Sequence, residues 1–492
     1  MELHERIHEL SLVRSFFFPS HEAYGQTAGF YDYGPTGALI KKKIEGLWRS
    51  FFLKTEGYHE IESSVITPED VLVASGHVKS FGDPVVDCLG CNSKVRADVL
   101  YENKSGEKWD GKIETLRTYF DENTIVCPSC GGNFSEPYMF NLMFKTGMGG
   151  DLAPAYCRPE TAQGIFVAFP RIYRNHGTAL PMGVGQVGRS FRNEISPRKG
   201  LVRMREFTQL ELEYFFDPAH RTFPKFGEVK ERKLRILPPD KEKPVEASLG
   251  EIVEKGWATD EVMAHFLLKQ WDFYRMLNIP EEKMWFRVLR DAEVPHYSKG
   301  NVDMEVQTSY GVIETTGNAY RTDFDLSSHA KISGKDFSVF IEERKESIVP
   351  HVFELSMGVD RLFFVLLESC YRPKTEEKEW EWFDFPPAIA PYDLCVFPLM
   401  KKDGLKEKAQ EIASMLRGAG LDVLFQVSGS IGKRYARADE IGVPYAVTLD
   451  YQTLEDDTVT VRFRNDGKQE RVPIGELESR IRKYKKEGKV AL

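Results

Sequence analysis

Ser190-Phe-Arg-Asn-Glu-Ile-Ser-Pro-Arg-Lys-Gly-Leu-Val-Arg-Met-Arg-Glu-Phe-Thr-Gln-Leu-Glu-Leu-Glu-Tyr-Phe215 alternates with a period of two in its second half. Thr208, Leu210, Leu212 and Tyr214 share one face, and Phe207, Gln209, Glu211 and Glu213 share the other. Successive side chains of a strand point to opposite faces, so the run predicts a β-strand with one apolar and one charged surface. In the first half Arg192 and Glu194 share a face, and Pro197-Arg-Lys-Gly is turn chemistry. The stretch therefore predicts an antiparallel hairpin.

A solvated sheet face with cross-strand ion pairs is the ordinary explanation of such a hairpin. Three features point elsewhere. Arg192, Arg198, Arg203 and Arg205 gather at the loop, where planar forked donors can clamp a polyanion. Phe207 stands on the polar face, where an aromatic ring is a liability unless something stacks on it. Glu211 and Glu213 follow deeper in and favour a cationic group. A nucleoside triphosphate beside an ammonium group would satisfy all three. The sequence holds no Walker A motif, and Gly429-Ser-Ile-Gly-Lys433 lacks its spacing, so side chains must hold the nucleotide.

Outward from the hairpin, two further segments fit the same chemistry. Glu354-Leu-Ser-Met-Gly-Val-Asp-Arg361 reads as a short strand entering an apolar helix, Leu362 to Leu367, with Arg361 near its start. An arginine there either snorkels from a core helix or meets an anion. Ile40, Ile44, Leu47, Trp48, Phe51 and Phe52 fall at three- and four-residue spacings, one apolar face of a helix entered at Gly34-Pro35-Thr36. Gly57 ends that helix, and Tyr58 to Ile66 reads as one strand leading to Thr67-Pro68.

Phe-Arg-x-Glu, a loop and Arg-x-x-x-Phe resemble motif 2 of the class II aminoacyl-tRNA synthetases. Gly358-Val-Asp-Arg361 resembles motif 3, and residues 35–68 resemble motif 1. Tyr31-Asp-Tyr-Gly-Pro35, Ala74-Ser-Gly-His77 and Arg158-Pro-Glu-Thr-Ala-Gln-Gly-Ile-Phe166 are similar to stretches of the glycyl-tRNA synthetases, of the dimeric archaeal and eukaryotic type. Ser428-Gly-Ser-Ile-Gly-Lys-Arg-Tyr-Ala-Arg-Ala-Asp-Glu-Ile-Gly-Val-Pro444 resembles the anticodon-binding domain that these enzymes share with the threonyl, prolyl and histidyl ones.

The resemblance implies an α+β fold. An antiparallel-sheet catalytic domain would span 1–386, with a zinc-binding-type insertion at 82–140 and a second insertion at 217–310. An α/β anticodon-binding domain would span 388–492, where strand and helix patterns alternate: Leu394 to Leu399, Leu405 to Gly418, Leu421 to Phe425 and Tyr445 to Leu449. A helix is predicted from about Asp260 to Leu277, and residues 373–390 read as a linker.

The implied activity is glycine–tRNA ligation: ATP and glycine give glycyl-adenylate, and the glycyl group moves to the 3′ end of tRNA(Gly). The implied ATP-binding residues are Arg192, Asn193, Glu194, Arg203, Met204, Phe207, Glu314, Thr315 and Arg361. Among these, Arg192 would meet the α-phosphate, Arg203 and Arg361 the outer phosphates, and Phe207 the adenine. Glu160, Glu211, Glu354, Leu355 and Ser356 would surround glycine, with Arg158 and Arg321 as neighbouring contacts. Mg2+ is expected on the phosphates, with Glu314 helping to hold it. Motif 1 implies a homodimer.

Cys88-Leu-Gly-Cys91 and Cys127-Pro-Ser-Cys130 make a CxxC…CxxC set suited to a structural zinc. Cys157, Cys370 and Cys395 sit among apolar neighbours and read as small buried hydrophobes. The 492 residues allow two to four domains. A hydrophobic share of 41% with 29% charged residues is that of an ordinary globular chain. No apolar run reaches the roughly 20 residues of a membrane span, and the charged N-terminus lacks the apolar core of a secretory signal, so a cytoplasmic protein is expected. The net charge of −9 argues against a simple nucleic-acid coat but not against a local RNA-binding surface. Other readings stay open here: a class II synthetase for another small amino acid, or a non-catalytic RNA- or DNA-binding relative. Synthesis of diadenosine tetraphosphate would be a side activity of the same site.

Overall fold

A computed structural model describes residues 2–150, 152–176, 179–197, 199–291 and 293–488. Among these, nine strands form one sheet: β1 (His59–Glu60), β2 (Met182–Phe191), β3 (Glu206–Phe216), β4 (Lys233–Leu237), β5 (Val245–Ser248), β6 (Met284–Val288), β7 (Asn301–Thr308), β8 (Gly311–Thr322) and β9 (His351–Gly358). Their spatial order is β5-β4-β6-β7-β8-β9-β3-β2-β1. All pairings are antiparallel except β1 with β2 and β4 with β6. The predicted hairpin is β2 and β3, registered from Met182 opposite Phe215 to Phe191 opposite Glu206. Residues 217–310 contribute β4, β5, β6 and β7 to this sheet.

The alternation of β3 decides which face is buried. Leu210, Leu212 and Tyr214 join Phe353, Leu355 and Met357 of β9 in the main core. The helices α1 (Pro35–Trp48), α3 (Glu261–Met276) and α4 (Val359–Cys370) pack there through Ile40, Ile44, Trp48, Phe266 and Leu362. The helix α2 (Ala162–His176) covers only part of the other face, where Phe166 and Phe169 meet Val184 and Phe215. The rest of that face stays open as a cleft.

The chain departs from its predicted local pattern in three places. Tyr58 to Ile66 is not one strand: His59–Glu60 pairs with β2, and Ile66–Pro68 pairs with Ala155–Cys157 in a different sheet. The connection of β2 to β3 is not a tight turn but a loop of residues 192–205 with a 3-10 turn at Gly200–Val202. The first helix continues past Trp48 as a π-helical segment, Arg49–Lys54.

A second sheet holds β10 (Leu394–Pro398), β11 (Val423–Phe425), β12 (Tyr445–Leu449), β13 (Thr458–Phe463) and β14 (Gln469–Pro473), in the order β11-β10-β12-β13-β14. The first three of that order run parallel and the last two pairings are antiparallel. The helices Leu405–Gly418 and Leu477–Glu487 pack around Leu394, Val396, Ile412, Val447 and Ile481, and the helix Ile431–Glu440 packs through Ala438 with Cys395, Phe397 and Ala446. Buried Arg464 ties this unit to the rest, donating to Asp384 at 2.7 Å and to the carbonyl oxygen of Phe385. Among the described residues no helix is long and apolar enough to cross a membrane.

Candidate active site

The register lays out the cleft floor in rows. One row is Gly317–Ser356–Glu211–Gln186 and the next is Ala319–Glu354–Glu213–Val184, running from β8 through β9 and β3 to β2. The cleft holds about 360 Å³. Its walls include Glu160, Arg192, Glu194, Arg203, Met204, Phe207, Glu211, Glu314, Thr315, Glu354, Ser356 and Arg361. Residues from five separate stretches of sequence thus converge.

The basic end lies at the β2–β3 loop. The Arg192 guanidinium sits between two rings, 5.3 Å from Phe81 and 5.3 Å from Phe207, and its Nε donates to the Pro159 carbonyl at 3.1 Å. Arg203 pairs with Glu194 at 2.5 Å. Arg361, at the start of α4, donates to the carbonyl oxygens of Val202 and Glu314 and lies 3.5 Å from the Glu314 carboxylate. The expected arginine set has two more members. Arg205 turns away to the carbonyl oxygens of Ala28 and Glu194, and Arg198 lies outside the described residues.

The acidic end lies one floor row on. Buried Glu211 accepts from the Thr161 hydroxyl, from Gln209 Nε2 at 2.7 Å and from the Ser356 hydroxyl at 2.8 Å. These donors are all neutral, and no described cation pairs with it. Burial, then Glu160 and Glu354, push its carboxyl up to about 7. Burial and Glu354 push Glu213 well above the ordinary range, and neither of its oxygens has a described partner. Burial also raises Glu354, against the pull of Arg321. Glu160 is the exception: burial opposes its ionisation, but His77, Arg321 and Gln163 hold it well below the usual carboxylate range.

Arg321 is buried behind the acidic end, only 1% exposed. It forks onto Asp325 at 2.7 and 2.9 Å, reaches Glu354 at 2.8 Å and lies 4.0 Å from the Tyr297 ring. One guanidinium thus serves two carboxylates and leaves the neighbouring ones short of positive charge.

Some expected contacts are not in the cleft. Leu355 lies between Glu354 and Ser356 on β9, so its side chain points into the main core. Asn193 donates its backbone N–H to the Leu142 carbonyl at 2.6 Å and does not line the cleft. Arg158 is spent on the carbonyl oxygens of Arg189 and Ser63. It crosses β2 at Gly188, where a Cβ would lie 2.3 Å from its Nη2, so only glycine leaves it room. Arg321 acts behind Glu354, not on the cleft wall.

Sequence reasoning missed Asp303, Asn301, Tyr297 and His77. The first three line the cleft, and His77 Nε2 lies 3.4 Å from Glu160. The alternation Asn301-Val-Asp-Met places Asn301 and Asp303 on the polar face of a strand and could have flagged them.

The two CxxC pairs converge, with all four Sγ atoms within 4.8 Å of one another. Cys88 and Cys130 are 3.4 Å apart, and Cys91 and Cys127 are 3.8 Å apart. Zinc–sulfur bonds of about 2.3 Å in a tetrahedron need sulfurs about 3.8 Å apart, so the set fits such an ion. The lobe carrying them also packs on the β2–β3 loop, where Ile195 shares a cluster with Val85 and Leu142. Asp83 of the lobe lies 3.7 Å from Arg203.

Residues 152–370 match the family described as tRNA synthetase class II core domain (G, H, P, S and T). Residues 393–484 match the family described as anticodon binding domain. The glycine–tRNA ligase of Methanothrix thermoacetophila is 39% identical, over 96% of this chain and 95% of that protein. The glycine–tRNA ligase of Methanocaldococcus jannaschii is 38% identical, over 99% of this chain and all (100%) of that protein. The glycine–tRNA ligase of Pyrococcus horikoshii is 38% identical, over 97% and 98%. A crystal structure of prolyl-tRNA synthetase from Cryptosporidium parvum, complexed with halofuginone and AMPPNP, superposes with a TM-score of 0.58 over 99% of this chain and 78% of that one. At 14% identity that likeness shows the fold alone.

Proposed function

The chain belongs to the glycine–tRNA ligase family of class II aminoacyl-tRNA synthetases, and from that premise we propose how its cleft activates glycine. The overall reaction is the family's: glycine and ATP give glycyl-adenylate and pyrophosphate, and the glycyl group passes to the 3′ end of tRNA(Gly). A carboxylate oxygen of glycine attacks the α-phosphorus, and the bond to the β-phosphate oxygen breaks. The terminal hydroxyl of the tRNA then attacks the glycyl carbonyl, and AMP leaves. The protein supplies position and charge, since the reacting groups need no covalent help.

The observation that carries the residue assignment is Glu211: buried, hydrogen-bonded by neutral donors only, and in no ion pair among the described residues. It is the seat for the glycine ammonium, with Glu160 and Glu354 alongside and Ser356 orienting Glu211. A pocket for glycine cannot grip a side chain, and one added methylene is worth only about 1–3 kcal/mol by attraction. Crowded, partly unneutralised carboxylates discriminate by refusal instead, because a bulkier substrate displaces the ammonium and leaves them unpaired. Arg192 faces the α-phosphate, Arg203 and Arg361 exchange Glu194 and Glu314 for the outer phosphates, and Phe207 underlies adenine. Glu314 is the carboxylate placed to hold Mg2+, which supplies countercharge to the phosphates when bound.

The readings of domains, assembly and compartment are part of this proposal. Residues 1–386 form the catalytic unit, with insertions at 82–140 and 217–310, and 388–492 bind the anticodon. The cytoplasm is the compartment we infer, and a homodimer is supported by the resemblance of residues 35–68 to motif 1 and by the position of His59–Glu60 at the sheet edge.

ATP–pyrophosphate exchange over the twenty amino acids tests the assignment. Glycine leads alanine by about 100-fold, the range that a refused methyl group supports. Exchange led by any other amino acid would overturn it.

Cys88, Cys91, Cys127 and Cys130 hold one structural zinc per chain. Its removal by chelation raises the KM for ATP by about 2- to 30-fold, the usual range of coupling between packed elements. The reason is that the lobe supports the loop at Asn193 and Ile195. Metal analysis finding no zinc in freshly purified protein, or an unchanged KM after its removal, contradicts this.

A further inference from the structure

Asn301 and Asp303 stand two residues apart on β7 and both line the cleft. Neither has a role in the scheme above, and the inference drawn from them rests on the placement of the nucleotide in this cleft. Asn301 is 8% exposed, and its Oδ1 is buried without a described partner. Asp303 is 7% exposed and accepts no hydrogen bond from a described residue; Arg287 lies behind it at 3.6 Å, already paired with Glu305 and Glu293. The cleft therefore presents two unused acceptors side by side. A buried polar atom left unpaired is costly, so Asn301 Oδ1, with the Asp303 carboxyl beside it, calls for a ligand that donates.

The floor beside them has been cleared. Asp303 is opposite Gly317, and Asn301 is opposite Ala319. A Cβ built on Gly317 would meet nothing closer than Asp303 Oδ1 at 3.8 Å, so the missing side chain leaves open space against that carboxyl. The same row continues through Ser356 to Glu211. Three strand spacings, about 14 Å between backbones, separate Asp303 from the ammonium seat. A second ammonium is not required there. A metal is not favoured either, because the described residues bring no further His, Cys, Asp or Glu into a metal-sized set with Asp303. One carboxyl and one amide oxygen, adjacent and facing the same way, match two neighbouring hydroxyls.

We propose that Asp303 and Asn301 form a subsite for the vicinal 2′,3′-hydroxyls of an adenosine ribose, seated over Gly317. The carboxyl suits that partner, because its oxygens accept from hydroxyls and the Asn301 amide oxygen beside it does the same. Two riboses reach this site in the reaction, that of ATP and that of the terminal nucleotide of tRNA, and the chemistry is the same for both.

The test is a comparison of substrates against Asp303→Asn. In exchange assays the wild-type enzyme is measured with ATP, 2′-deoxyATP and 3′-deoxyATP. In single-turnover transfer from preformed glycyl-adenylate it is measured with tRNA ending in adenosine or in 2′-deoxyadenosine. If the ribose of ATP is bound, wild type loses about 10-fold or more on a deoxy nucleotide and D303N loses as much on ATP with no further loss on the analogue. If the tRNA ribose is bound, the same loss and the same absence of a further penalty appear in transfer, with exchange unchanged. A full deoxy penalty retained by D303N in both assays, or no deoxy penalty in wild type, overturns the proposal. Should D303N fail to fold, Gly317→Ala is read in the same two arms, because its Cβ fills the open floor at ordinary contact distance from Asp303. Failure of the wider reading is distinct: wild type would then show no exchange with ATP and glycine at all.

Discussion

Glu211→Gln lowers kcat/KM for glycine in ATP–pyrophosphate exchange by about 100-fold or more, the scale of removing one partner from a buried, hydrogen-bonded charge pair. The KM for ATP stays within about twofold, because binding at the basic end is not changed. The amide has the shape of the carboxylate, so packing under Thr161 and Ser356 is kept. What is lost is charge, and an amide NH2 cannot accept from the ammonium. The pH profile separates this from a structural defect. Glu211 is raised to about 7, so in the free enzyme it becomes ionised only as pH climbs through that value. Glycine capture needs the ionised form. Wild-type kcat/KM for glycine therefore rises by about tenfold per pH unit below pH 7 and levels above it. In E211Q that inflection disappears. A variant with wild-type glycine kinetics, or with the inflection intact, would remove Glu211 from the ammonium seat.

Arg192→Lys lowers the rate of adenylate formation by about 100- to 1,000-fold, the usual cost of losing a donor aimed at charge that develops in the transition state. Lysine keeps the positive charge but not the planar fork, and it cannot lie between Phe81 and Phe207 as the guanidinium does. The loss appears in kcat, read by rapid quench, with the KM for glycine little changed. A loss below about threefold would place Arg192 outside the reacting phosphate, since a point charge would then serve as well.

The parts of this site that could be read in the chain are those where local pattern and final environment agree. The alternation from Phe207 to Tyr214 assigns both faces of β3, and Pro35 with the Ile40, Ile44 and Trp48 spacing assigns the first helix. What resisted reading depends on distant partners. His59 and Ile66 belong to different sheets because β2 claims the first and Ala155–Cys157 the second, and nothing between them marks the change. The loop at 192–205 is wide because Ile195 is drawn into the cysteine lobe, which a turn signature at Pro197 does not reveal. Leu355 departs from the glycine-contact expectation for a local reason: period two sends it to the core whenever Glu354 and Ser356 face the cleft. Arg321 carries no local sign of its burial, which Asp325 at the start of the following helix and Glu354 across the sheet create together.

The most direct measurement is a crystal structure of the protein with a non-hydrolysable glycyl-adenylate analogue. The account predicts the analogue's ammonium within hydrogen-bond distance of the Glu211 carboxylate, its phosphate mimic against Arg192, and adenine stacked on Phe207. An analogue bound with its ammonium in solvent, or seated away from β3 altogether, would contradict it.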